Sequence, residues 1–116
     1  MNIEVTNQTA VVREPGVLIT DGPSAMDLLA TVRYETGCSA MVLRKQQIDE
    51  PFFRLSTGLA GEVLQKFVNY HMKLAIVGDF SGYTSTPLQD FIRESNEGRH
   101  VCFKPDEGPA LAWLER

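Results

Sequence analysis

The sequence predicts an α/β domain, a mixed and mostly parallel sheet of about five strands with four helices. Three observations point there. Short apolar runs alternate with amphipathic stretches of helical period. Two of those runs, residues 39–43 and 74–77, are apolar on both faces, as strands of a covered parallel sheet are. Helix-start signatures, Asp21-Gly22-Pro23-Ser24 and Thr86-Pro87-Leu88-Gln89, separate the runs.

The elements follow in order. Ile3 and Val5 alternate with polar neighbours, Asn7-Gln8 marks a turn, and Ala10-Val11-Val12 continues, so a hairpin opens the chain. Glu14-Pro15-Gly16 interrupts it, and Val17-Leu18-Ile19 reads as a further short strand. Ser24 followed by Asp27 resembles a capping box, with Pro23 tolerated in the first turn. Ala25, Leu28, Leu29 and Val32 share one helical face, and Gly37 stops that helix. After the apolar strand at 39–43, residues 44–54 read as a polar loop in which Pro51 ends any regular structure.

Residues 56–71 form the clearest helix. Leu59, Val63 and Phe67 recur at i, i+4 and i+8, beside Ala60, Leu64 and Val68, with Gly58 and Gly61 in the first turn. Residues 73–80 are a buried strand. Thr86 reads as an N-cap with Pro87 at N1 and Gln89 at N3, and Gly98 ends that helix. Val101-Cys102-Phe103 is a last strand, and residues 107–116 a last helix carrying Trp113. The strand and helix order after the hairpin implies right-handed crossovers within one domain spanning 1–116.

Composition bounds the function classes. With 43% apolar and 22% charged residues, the chain has the balance of a globular protein. Its net charge of −4, with 11 Lys plus Arg against 15 Asp plus Glu, argues against nucleic acid as a partner. Arg44-Lys45 is too small to be a basic patch. No stretch approaches the roughly 20 apolar residues of a membrane span, and no leader pattern opens the chain, so a cytoplasmic setting is expected. Cys38 and Cys102 read as buried reduced thiols. His71 and His100 stand alone and the cysteines lack CxxC spacing, so neither a metal nor a cofactor is expected. His71 is placed to favour the C-terminal dipole of its helix. No Gly-Lys-Ser/Thr triplet is present, which excludes a P-loop, and there is no Gly-x-Ser-x-Gly elbow.

Four runs carry a family resemblance: Leu18-Ile19-Thr20-Asp21, residues 30–38 (ATVRYETGC), residues 57–62 (TGLAGE) and residues 78–85 (GDFSGYTS). Through them the whole chain resembles an uncharacterised bacterial family, domain of unknown function 4180. The order of elements also resembles STAS, the domain shared by sulfate transporters and anti-sigma-factor antagonists. In that family an Asp-Ser-Ser-Gly-Leu motif opens the second helix, and its first Ser is phosphorylated in regulatory members. Here the segment is Leu55-Ser56-Thr57-Gly58-Leu59, with Leu at the Asp position. The resemblance implies that Ser56 is the counterpart of the switch serine.

In open α/β sheets, ligands gather beyond the carboxyl ends of the strands. The loops at 21–24, 54–58 and 78–85 are expected to meet there, offering Asp21, Ser24, Ser56, Thr57, Asp79, Ser81, Tyr83, Thr84 and Ser85, with Asp21, Ser56, Thr57, Asp79, Ser81 and Tyr83 the candidate binding residues. Ser56 and Thr57 are either a modification switch or helix caps. Asp79 is either a functional carboxylate or a brace for its own loop. Phe52 and Phe53 are either exposed for interaction or tucked beneath the loop. Two function classes result. The first is a regulatory domain that binds a protein through the edge around Ser56 and Asp79. The second is a small-ligand binder or small enzyme using Asp79, Ser81 and Tyr83. A homodimer is compatible with both.

Overall fold

The computed structural model describes residues 1–116. Strands β1 (Ile3–Thr6) and β2 (Thr9–Val12) form the opening hairpin. Its two turn residues, Asn7 and Gln8, both have positive φ, at 50° and 66°. Such left-handed two-residue turns match the right-handed twist of the flanking strands. Helix α1 (Gly22–Thr36) leads to β3 (Ala40–Arg44), α2 (Leu59–Asn69) to β4 (Lys73–Val77), and α3 (Thr86–Glu97) to β5 (Val101–Lys104). Helix α4 (Glu107–Leu114) closes the fold.

The sheet order is β1-β2-β3-β4-β5, antiparallel at the hairpin and parallel thereafter. Each parallel crossover steps one strand in the same direction. Right-handed crossovers of that kind place all their helices on one face. The cores agree. Ala25, Leu28, Leu29 and Val32 of α1, Ala60, Val63 and Phe67 of α2, and Leu88 of α3 share one cluster with Met41, Leu43, Leu74, Ile76 and Phe103 of the sheet. The alternate strand residues Val11, Ala40, Val42, Ala75 and Cys102 face α4, through Ala110, Trp113 and Leu114. The central strands are therefore buried on both faces, as their unbroken apolar runs require. Arg13 ties the two layers at one corner, donating to both Glu4 of β1 and Glu107 of α4.

Several expected boundaries shift. The N-cap of α1 is Asp21, not Ser24. Asp21 accepts from the Ser24 amide at 2.8 Å, and Ser24 Oγ accepts from the Asp21 amide at 3.1 Å, so the capping box lies three residues earlier than expected. Ser85, not Thr86, caps α3, and Gln89 reaches back to the Tyr83 carbonyl at 2.7 Å. Helix α2 starts at Leu59 rather than at 56, because Gly58 adopts φ 79° and separates it from a 3₁₀ turn, Leu55–Thr57. Such a left-handed step is open to glycine at no steric cost. Val17-Leu18-Ile19 is not a sheet strand; its one ladder contact is an isolated bridge from Ile19 to Ile48. The C-terminal carbonyls beyond α2 are met by Arg33, which donates to Tyr70 and His71 at 2.7 and 3.3 Å.

The supposed polar loop is ordered by buried groups. It winds through 3₁₀ turns at Lys45–Gln47 and Glu50–Phe53. Phe52 and Phe53 both enter the core. Gln47 is fully buried, yet all its polar atoms are paired. It donates to the Val12 and Glu14 carbonyls at 3.1 and 2.8 Å and accepts from the Arg44 amide at 2.7 Å. Its own carbonyl accepts from Leu18 and Ile19, which fastens the strand-like segment to this loop.

Candidate functional site

The loops following β3 and β4 and those opening α1 and α2 form a belt along the C-terminal edge of the sheet. Its links are short and specific. The Gly22 amide at the start of α1 donates to Glu62 of α2 at 3.1 Å. One turn earlier, Thr57 Oγ1 donates to the Pro51 and Arg54 carbonyls at 2.7 and 2.9 Å and accepts from the Leu59 amide at 3.2 Å. Next to Pro51, Glu50 accepts from the Tyr83 hydroxyl at 2.8 Å. Lys45 lies 4.5 Å from the centre of the Tyr83 ring and donates to the Asp79 carbonyl at 3.3 Å. Gly78 permits that route, since a Cβ there would stand 2.8 Å from Lys45 Cβ.

Aromatic packing holds the β4 loop down. Tyr83 stacks on Phe53 at 5.4 Å between ring centres, and Phe80 sits 6.0 Å from Phe53 and 5.4 Å from Phe103. Burial and the hydrogen bond to Glu50 hold the Tyr83 phenol protonated well above the usual tyrosine range. Asp79 accepts from the Ser81 hydroxyl at 2.6 Å and the Ser81 amide at 2.9 Å through one oxygen. Those bonds lower its pKa below the usual carboxylate value, which weakens it as a base. Asp21 is lowered in the same way by the Ser24 amide and hydroxyl.

Of the nine residues expected at this edge, Asp21, Ser24, Thr57, Asp79, Ser81, Tyr83 and Ser85 thus have their side chains engaged in local bonds. The Thr84 hydroxyl makes no such bond, and neither does that of Ser56. Ser56 is exposed on the Leu55–Thr57 turn. Glu50, Lys45, Glu62 and Gln47 are participants that the sequence does not reveal. Each acts on a partner at least 33 positions away or, for Glu62 and Gln47, on backbone groups of other elements. The hollows at this edge are shallow. One of about 310 Å³ is lined by Gly78, Asp79, Phe80, Phe103, Lys104 and Pro105. Another of about 470 Å³ lies beside Lys45 and Glu50, and Ser56 lines neither. No group of three or more His, Cys, Asp or Glu is placed to hold a metal ion. Both histidines lie at the other end of the strands, before β4 and β5.

The family model described as domain of unknown function (DUF4180) matches residues 4–114. The chain belongs to this family. No curated protein matches it. Among solved structures, the DUF4180 domain is similar to a crystal structure of a candidate anti-sigma factor antagonist from Thermotoga maritima. The TM-score is 0.52 at 13% identity, over 99% of this chain and 94% of the other. At that identity the likeness shows the fold, and the STAS-like order expected from sequence is the order found. No helix of the DUF4180 domain is long and apolar enough to cross a membrane.

Proposed function

We propose that this domain is a regulatory interaction module that binds a protein partner through the C-terminal edge of its sheet, with Ser56 at the centre of the contact. The observation that carries this reading is the uncommitted hydroxyl of Ser56 beside neighbours whose side chains are engaged. Thr57 ties the turn to Pro51 and Arg54, so Ser56 is presented on a fixed backbone. A partner that docks on such a preformed turn loses little free energy to ordering it.

The STAS resemblance supports reading Ser56 as the counterpart of a switch serine. A phosphoryl group there would add about −1.5 to −2 of charge. It would stand on an edge that already carries Asp49, Glu50, Glu62 and Asp79, and so would change which partner surface fits. The likeness to an anti-sigma factor antagonist supports a regulatory role by fold analogy. The buried free thiols Cys38 and Cys102 suit a reducing, cytoplasmic setting.

The test is capture from lysate of the source organism with wild-type and Ser56→Asp baits of matched melting temperature. The reading expects a stoichiometric partner on the wild type, reduced at least tenfold on Ser56→Asp. Equal recovery on both baits contradicts it.

A further inference from the structure

At the opposite end of the strands, residues distant in the chain converge. Lys73 opens β4, Arg99 and His100 precede β5, and Arg116 follows α4. With Glu97 and Gly98 they line a cavity of about 640 Å³ that has no apolar side chain in its wall. Its cations, Lys73, Arg99 and Arg116, are not ion-paired to any acidic side chain, unlike Arg13 and Arg93. The acidic groups nearby are Glu97 on the rim and Glu115, which borders an adjoining hollow with Lys73.

Two of the three cations, Arg116 and Lys73, have defined contacts, while Arg99 is exposed. The Arg116 guanidinium lies 4.7 Å over the Trp113 ring and donates to the Gly98 carbonyl at 2.8 Å. Lys73 Nζ sits 6.0 Å from the same ring and 3.4 Å from the Arg116 backbone oxygen. Trp113 is itself fixed, donating Nε1 to the Asn96 carbonyl at 3.0 Å. One indole therefore serves as a plate for two like charges. Holding like charges together is unfavourable, and a multiply charged anion relieves it. Guanidinium groups match phosphate geometry through paired donors, and an ammonium adds a point charge.

We propose that this cavity binds a small ligand bearing two or more phosphoryl groups. The volume falls within the roughly 300–1,000 Å³ range of small-molecule sites, and a lining with three cationic residues and one acidic residue favours an anionic ligand. The site lies at the other end of the strands from Ser56, so it stands or falls independently of the partner-binding edge.

Trp113 is the one tryptophan in the chain and touches both cations, so it reports on the site directly. The experiment titrates the full chain with sodium pyrophosphate against sodium chloride of equal ionic strength, which removes general screening. Trp113 emission and titration calorimetry are followed together. The expected result is a saturable signal with pyrophosphate, weaker with inorganic phosphate, and an apparent Kd raised at least tenfold in Arg99→Gln. Arg99 is exposed and holds no other element, so that variant should melt like the wild type. His100→Gln, tested in parallel, is expected to weaken binding severalfold. Absence of both heat and emission change, or an unchanged Kd in Arg99→Gln, overturns the proposal. So does a single-stranded oligonucleotide that binds more tightly than pyrophosphate and displaces it, since the ligand would then be a nucleic acid.

Discussion

At the C-terminal edge of the strands, Asp21, Thr57, Asp79, Ser81 and Tyr83 direct their polar groups at nearby loop atoms, whereas at the N-terminal edge Lys73, Arg99 and Arg116 stand without an acidic partner. The hollows follow the same division, about 310 and 470 Å³ at the first edge against about 620 and 640 Å³ at the second. Ligand sites in open α/β sheets are generally sought at the carboxyl ends of strands. In this domain that edge is built as a largely braced surface on which Ser56 and Thr84 keep free hydroxyls, and the cations without acidic side-chain partners lie at the other end. A polar residue at a favoured edge is therefore not a functional residue until its hydrogen bonds have been followed.

The comparison can be broken where the bracing is deepest. Gln47→Ala removes hydrogen bonds to three backbone groups and empties a fully buried site. We expect a loss of about 3 kcal/mol in urea-induced unfolding, since stranded buried groups cost roughly 1–3 kcal/mol each and partly find water. A loss below about 1 kcal/mol would mean that the C-terminal edge does not depend on this hub.

Thr57 and Ser56 give a sharper contrast because they are adjacent. Thr57→Val leaves the shape but deletes the hydroxyl that bonds Pro51, Arg54 and Leu59, with an expected cost of about 1–2 kcal/mol. Ser56→Ala is expected to stay within about 0.5 kcal/mol of the wild type. Similar losses in chemical denaturation for both would erase the distinction between the two hydroxyls.

The smallest expected effect is on acid stability. The pKa values of Asp21 and Asp79 are lowered in the folded chain by bonds from Ser24 and Ser81. A lowered folded pKa means the stabilisation is fully present above the unfolded value, near 3.9, and is lost as pH falls through the lower folded value. The wild-type melting temperature should therefore drop below about pH 4. The double variant Asp21→Asn with Asp79→Asn should melt lower than the wild type at neutral pH and show a shallower acid decline. An identical pH profile would show that these carboxylates do not brace the edge.

How much of this is legible in the sequence depends on the range of the interaction concerned. Strands β3 and β4 are visible because burial on two faces demands unbroken apolar runs, and α2 because Val63 and Phe67 keep helical period. The cap of α1 was harder. Asp21 and Ser24 form a box, and Ser24 with Asp27 offers the same pattern three residues on. The first frame is the one in which Glu62, from another helix, can accept from the Gly22 amide. The loop at 44–54 looks polar because Gln47 is polar, but its partners, the Val12 and Glu14 carbonyls, lie 35 and 33 positions away. Ser56 stands out in the sequence only through a motif resemblance, while its freedom from hydrogen bonds is not legible at all. The basic cavity was invisible for the same reason as Gln47: Lys73, Arg99 and Arg116 meet only once β4, β5 and α4 are packed.

The division between the two edges is tested most directly by amide hydrogen exchange on the domain alone and bound to its captured partner. Binding at the Ser56 edge predicts added protection across residues 55–61 and 79–85, with residues 98–101 unchanged. Protection confined to residues 98–101, with the Ser56 turn exchanging as in the free domain, would contradict it.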